Sequence, residues 1–224
     1  YNCNMKDTKI RLGYCCINLS LADQKITANR GMIKRTFLAK GPAYCGELAH
    51  QNVKAILKIL KWNVANEIYV YRMSSDVFPW MSEYELKSLI DWPMIEKNLQ
   101  LAGSLATKYG QRIETHPGPF NVLGSLNNFV VKKTIKELNQ AAEIFDAMGF
   151  EPSHWNQINI HLNTTQGGKE ECAKRFIKNF KKLHPNTQAR LVIENDDKAS
   201  QYSVKDLYEL LYEEIQIPIT FDSH

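Results

Sequence analysis

Nowhere in this 224-residue chain is there a run approaching the roughly 18 to 20 apolar residues needed to cross a bilayer, so the sequence is not read as a membrane-spanning one. No two cysteines stand in a CxxC spacing. The five present (Cys3, Cys15, Cys16, Cys45 and Cys172) are odd in number and scattered, apart from one adjacent pair. That usage argues against a zinc finger or a disulfide framework and for a reduced compartment. The opening YNCNMKDTK has no basic stretch leading into an apolar one, so no signal peptide is expected, Met5 is a candidate first residue, and the expected location is intracellular, cytoplasmic or nuclear. Linkers, low-complexity tracts and short repeats are missing too, and a single domain over 1–224 is expected. Neither sign of charge dominates: 28 Lys and Arg against 24 Asp and Glu leave +4, which permits a polyanionic partner without pointing to one.

What the chain does have is alternation. Short, β-branched apolar runs (IRLGYCCI, EIYVYRMSS, QRIETHPG, QINIHLN, RLVIEND and PITFDSH) read as six strands. Between them HQNVKAILKILKWNVANE, WPMIEKNLQLAGSLATKYG, NNFVVKKTIKELNQAAEIFDAMGF, EECAKRFIKNFKKL and SVKDLYELLYEEI place apolar residues at i, i+3, i+4 and i+7, the signature of helices with one buried face. Gly110 and Gly149 are helix stops, Pro185 follows another, and Ser203 is an N-cap. Repeated strand and helix imply parallel strands with right-handed crossovers. An open doubly wound sheet usually carries a glycine-rich turn after its first strand, and GYCCINLSL is not one, so the expected fold class is α/β, a TIM-type (β/α) barrel.

Four strands finish on a ligand-type residue: His116 in IETHPGP, His161 in INIHLN, Glu194 in LVIENDD and Asp222 in ITFDSH. Singly, each has an ordinary explanation: a hydrogen-bonded core histidine, a turn-opening residue before Pro-Gly, an acidic solvated turn, a helix cap. Jointly, the C-terminal ends of parallel barrel strands lie on one face, where residues distant in sequence converge. Imidazole and carboxylate without thiolate suit Mn²⁺ or Zn²⁺, and Glu194 is able to bridge two ions. The long segment GYCCINLSLADQKITANRGMIKRT mixes Tyr14, Asn18, Asn29, Arg30, Lys34 and Arg35; it either follows a phosphate backbone or forms an ordinary solvated loop.

The runs IRLGYCCINLSL, RMSSDVFPW, ETHPGPFNVLGS, DAMGF, IHLNTTQGGKE, RLVIENDD and FDSH, in this order over nearly the whole chain, resemble the ultraviolet damage endonucleases. The resemblance implies a (β/α)₈ barrel related to endonuclease IV with a cluster of metal ions, usually manganese, that nicks double-stranded DNA immediately 5′ of an ultraviolet photoproduct. By the same resemblance His116, His161, Glu194 and Asp222 are metal ligands, with His116 and Glu194 at the catalytic centre. Tyr14 and Asn18 lie near the lesion and backbone, and Pro119 and Phe120 take the places of a pair that probes the damage, often Gln-Tyr in the family; Asn29 and Arg30, from the mixed composition of the long segment, are the further DNA-binding candidates. Glu83 stands where the family often has a metal-binding His, the fourth-strand His-x-Gly-Gly is stretched to HLNTTQGG, and the ligands of the family's last strands have no counterpart. FDSH is thus expected to be the sixth of eight strands in a C-terminally incomplete barrel. No obligate protein partner is expected. A sugar isomerase or epimerase of related barrel type, and a non-catalytic damaged-DNA-binding module, are the alternatives.

Overall fold

The fold is that of a computed structural model, which describes residues 10–198 and 200–223; Cys3, Met5 and His224 lie outside the described residues. Strands β1 (Gly13–Cys15), β2 (Val70–Met73), β3 (Arg112–Thr115), β4 (Ile158–Ile160), β5 (Leu191–Glu194) and β6 (Ile219–Thr220) form one sheet in chain order. Every neighbouring pair is parallel, with Tyr14 beside Tyr71, Arg72 beside Glu114, Asn159 beside Val192 and Glu194 beside Thr220. All six strands fall inside the apolar runs read from the sequence. The sheet is of barrel type but is not closed, and β1 and β6 are its edges.

Helices α1 (Leu19–Ala22), α2 (Lys34–Ala65), α3 (Trp92–Tyr109), α4 (Asn128–Ala147), α5 (Lys169–Phe180), α6 (Pro185–Gln188), α7 (Val204–Leu207) and α8 (Glu213–Ile215) fill the connections. Their ends follow local chemistry. Gly110 takes a left-handed conformation (φ 64°) and its amide closes on Ala106 and Thr107, ending α3. Ser203 and Asp206 satisfy each other's backbone in a capping box before α7, an arrangement in which the cap contributes about 1 kcal/mol. Two departures from the sequence reading stand out. The first crossover is not all loop, because Asn18 caps α1 and α2 begins sixteen residues before His50, with a kink at Gly41-Pro42. The helix read over SVKDLYELLYEEI is interrupted by a π-helical stretch at Tyr208–Tyr212, where two tyrosine rings stack 5.2 Å apart. None of the described helices is long and apolar enough to cross a membrane.

Side chains alternate across each strand, and here the two faces differ sharply in chemistry. Tyr71, Ile113, Ile158, Ile160, Leu191 and Ile193 are buried, facing helices that contribute Ile56, Ile59, Leu99, Leu138, Phe145 and Phe176. Burial of each such side chain contributes on the order of 1.5–3 kcal/mol. Packing between α3 and the turn after α4 is tight enough that a Cβ on Gly103 would lie 1.8 Å from the Met148 carbonyl oxygen. The opposite, inner face carries Arg72, Arg112, Glu114, Gln157, Asn159 and Glu194. Arg72 binds Glu114 at 2.9 Å, Arg112 reaches the same carboxylate at 3.8 Å and also donates to Gln157. Polar side chains buried in this way persist because they satisfy one another.

Candidate metal centre

His116 and His161 follow β3 and β4 at the inner-face parity of Glu114 and Asn159, and Glu194 ends β5 on that face. One ligand atom from each of His116, His161 and Glu194 lies within 4.8 Å of the other two. Glu194 Oε2 is 3.1 Å from His116 Nε2 and 3.8 Å from His161 Nε2, and the two imidazole centroids are 5.1 Å apart. His116 Nδ1 lies 3.1 Å from the Pro117 carbonyl oxygen. A proton on Nδ1 donated to that carbonyl leaves the Nε2 lone pair turned toward Glu194. Lone pairs of an imidazole and a carboxylate repel at such a distance unless a positive charge lies between them.

Electrostatics agree with this picture. Burial would push the Glu194 carboxyl up, but the His116 hydrogen bond, the charges of His116 and His161, and Arg72 hold it down at about 2. Glu194 is therefore an anion at neutral pH although only 3% of it is exposed. His161 Nδ1 is buried, has no hydrogen-bond partner and sits 3.6 Å from Asp196 Oδ1. Two imidazoles and one buried anionic carboxylate are a donor set that fits a divalent cation such as Mn²⁺ or Zn²⁺. The residues thus form a candidate metal-binding triad.

The remaining residues expected at the site are placed as follows. Asp222 comes one residue after Phe221, just beyond β6, and lies outside the compact triad. Its backbone is held on both sides by Asn195, whose Oδ1 accepts from the Asp222 amide at 2.9 Å and whose Nδ2 donates to the Asp222 carbonyl at 3.0 Å. Glu83 is in a short 3₁₀ turn (Met81–Glu83), is not among the three clustered ligand residues, and pairs with Lys133. Tyr14 leans on Tyr71 in the helix-facing layer, with ring centroids 5.3 Å apart; its hydroxyl donates to Asn63 Oδ1 at 2.7 Å and accepts from Asn18 Nδ2 at 2.8 Å. Asn18 is buried and its Oδ1 caps α1. Asn29 is half-buried, and the Arg30 guanidinium folds back onto the carbonyls of Thr27 and Lys25. Pro119 and Phe120 are exposed, Phe120 by 88%, beside a cavity of about 500 Å³ that Trp80 and Phe129 also line.

Three contributors went unseen in the sequence reading. Asn159, fully buried, donates to Glu194 Oε2; Asp196 approaches His161; Arg72 places a positive charge toward Glu194. A signal for Asn159 was present: in QINIHLN the polar residues Gln157, Asn159 and His161 alternate with Ile158, Ile160 and Leu162, so all three share one face.

An α/β barrel-type sheet with a His, His, carboxylate group at its strand ends defines a candidate metalloprotein of the barrel class. The chain belongs to the UV-endonuclease UvdE family, whose model matches residues 10–224. It is 34% identical over 222 residues to a UV-damage endonuclease of Schizosaccharomyces pombe, covering 96% of this chain and 36% of that protein. To a UV DNA damage endonuclease of Clostridium perfringens it is 28% identical over 214 residues, covering 96% and 49%. The solved crystal structure of SacUVDE superposes with a TM-score of 0.84 at 34% identity, over 96% of this chain and 70% of that one. The chain thus spans about a third of the yeast relative and half of the bacterial one.

Proposed function

We propose that this chain acts in DNA repair as an endonuclease that cuts the phosphodiester bond immediately 5′ of ultraviolet photoproducts in duplex DNA. The observation that carries the reading is the His116–His161–Glu194 triad at the strand ends of a chain whose relatives are named as UV-damage endonucleases. His116, His161 and Glu194 hold the metal, with Mn²⁺ the proposed ion, and Asp222 is the next carboxylate along the same strand-end face. When bound, a divalent ion supplies a Lewis acid for the scissile phosphate and a water acidified toward neutral pH.

The chain's own residues do the rest. Asn159 orients the Glu194 carboxylate, so that its anionic oxygens point in a fixed direction before any ligand arrives. The stacking role goes to Phe120, which is exposed and apolar on the loop after β3. A photoproduct weakens stacking and pairing, so its extrusion costs less than that of a normal base, and an inserted ring fills the gap. The names of the relatives favour this activity over a sugar isomerase.

A nicking assay on end-labelled duplex, irradiated and unirradiated, with Mn²⁺ and with the His116→Ala variant alongside, tests the proposal. Cuts on the 5′ side of the damage that vanish in the variant are expected. Equal cutting of undamaged duplex, or cutting that survives His116→Ala, would overturn it. Damage-selective binding in chelator with no cutting under any metal would instead make the chain a binding module.

A further inference from the structure

Beside the first crossover lies a second concavity, of about 180 Å³, between the segment that follows α1 and the middle of α2. Lys25, Arg30, Lys54 and Lys58 line it together with Gln51, and no carboxylate does. Elsewhere on the surface Lys87, Lys133, Lys136, Lys169, Lys174 and Lys205 each face a carboxylate. Lys25, Lys54 and Lys58 are exposed and enter no ion pair among the described residues. Cations gathered in a concave place without a counter-charge repel one another and attract anions.

The site is also built. Arg30 is fixed by its own loop, with Nη2 on the Lys25 carbonyl at 2.8 Å and Nη1 on that of Thr27. Asn52, fully buried on α2, grips the Arg30 backbone from both sides: its Oδ1 accepts from the amide at 2.9 Å, and its Nδ2 donates to the carbonyl at 2.9 Å. The same Nδ2 reaches the carbonyls of Asp76 and Val77, each at 3.1 Å, and so ties the segment to the loop after β2. A cation held by its scaffold loses little entropy when it meets a ligand. Gly31 and Met32, next in the chain, line the cavity beside Phe120, so the basic concavity adjoins the strand-end face.

We propose that this concavity is a phosphate-binding site. The ligand is a phosphate group, recognised by three ammonium groups and the oriented guanidinium; resting on the function proposed above, its source is the backbone of the duplex outside the lesion. Ammonium groups meet phosphate as mobile point charges and carry no base information, so the site adds affinity and register rather than damage selectivity.

The test measures binding of a fluorescent undamaged duplex by the full chain without divalent metal, from about 50 to 200 mM salt. Wild type is compared with Lys54→Gln/Lys58→Gln and with Lys54→Arg/Lys58→Arg, after thermal melts confirm that each is folded. Losing one phosphate contact lowers the slope of log affinity against log salt by about 0.9, which makes the fall in affinity over that range about 3.5-fold smaller. The Gln variant is expected to bind more weakly with that shallower slope, to keep its preference for irradiated over unirradiated duplex, and to be rescued by Arg. A parallel arm asks whether inorganic phosphate raises the melting temperature of wild type more than that of the Gln variant. If duplex binding is the same in both proteins or missing from both, and phosphate still separates them, the site takes free phosphate and its DNA source is rejected. If phosphate fails to separate them as well, the proposal is overturned. Nicking plays no part in the decision, so a chain that cuts nothing leaves the outcome readable.

Discussion

Replacing Asn159 by Leu would separate support of the metal triad from support of the fold. Asn159 is fully buried, its Nδ2 donates to Glu194, and its Oδ1 is a buried acceptor without a hydrogen-bond partner. Removing a hydrogen bond to a charged group costs about 1.5–3 kcal/mol, whereas removing an unsatisfied buried acceptor relieves about 1–3 kcal/mol. The two offset, and the metal-free melting temperature is expected to move little. The metal tells a different story. Losing a group that orients a ligand typically weakens metal binding about 10- to 100-fold. At a Mn²⁺ concentration about 100 times the wild-type Kd, bound metal stabilises the native state by about 2.7 kcal/mol; for the variant the same concentration gives about 0.4–1.4 kcal/mol. Thermal melts with and without Mn²⁺, joined to a calorimetric titration of the ion, read both quantities. An Asn159→Leu protein that melts like wild type without metal and gains as much from Mn²⁺ would refute the orienting role. One that fails to fold would refute the offset.

Further perturbations follow from the same structure. Phe120→Ala removes a side chain that is 88% exposed, so stability should stay within about 0.5 kcal/mol of wild type, while binding of irradiated duplex weakens by about 1–3 kcal/mol, the worth of a base–aromatic stack. Unchanged affinity in a gel-shift titration would remove Phe120 from the interface. Burial raises the Glu137 carboxyl, the hydrogen bond from Asn121 and the charge of Lys133 lower it, and Asp76 raises it, for a net upward shift. A carboxyl raised in the folded state favours folding below its unfolded pKa, and that contribution is lost as pH rises through the folded value. Glu137→Gln, which retains an acceptor for Asn121, should therefore melt higher than wild type at pH 7 to 8, with the difference shrinking as pH falls through the upper acidic range. A pH-independent difference would contradict the burial account.

Most of the fold was legible because its signals repeat. All six strands lie within runs of β-branched residues, and α3, α4 and α5 carry a sustained helical period that averages over local exceptions. What escaped was too short to have a period. Helix α1 has four residues, and its one clear signal is the cap at Asn18, which the sequence reading assigned to DNA. At the site, His116, His161 and Glu194 were visible because ligand-type residues end apolar strands. Arg72, Glu114 and Asn159 sit inside those strands, where a polar residue reads as an interruption until the opposite face is known to be polar as well. Pairings such as Glu83 with Lys133 depend on which helix passes over which loop, and local pattern holds no information on that.

The amide of Asn195 does for β6 what a peptide group does inside a sheet. β6 has only two residues in the ladder, yet Asn195 offers the Asp222 backbone one acceptor and one donor, a rung made from a side chain. Strand register has a period of two, so a slip of a single residue would exchange Phe221 for Asp222 on the inner face. Which of the two meets the strand-end face is decided less by their own chemistry than by a neutral residue just past the end of the neighbouring strand. Asn195 acts as a latch for the frame in which the end of the chain is read.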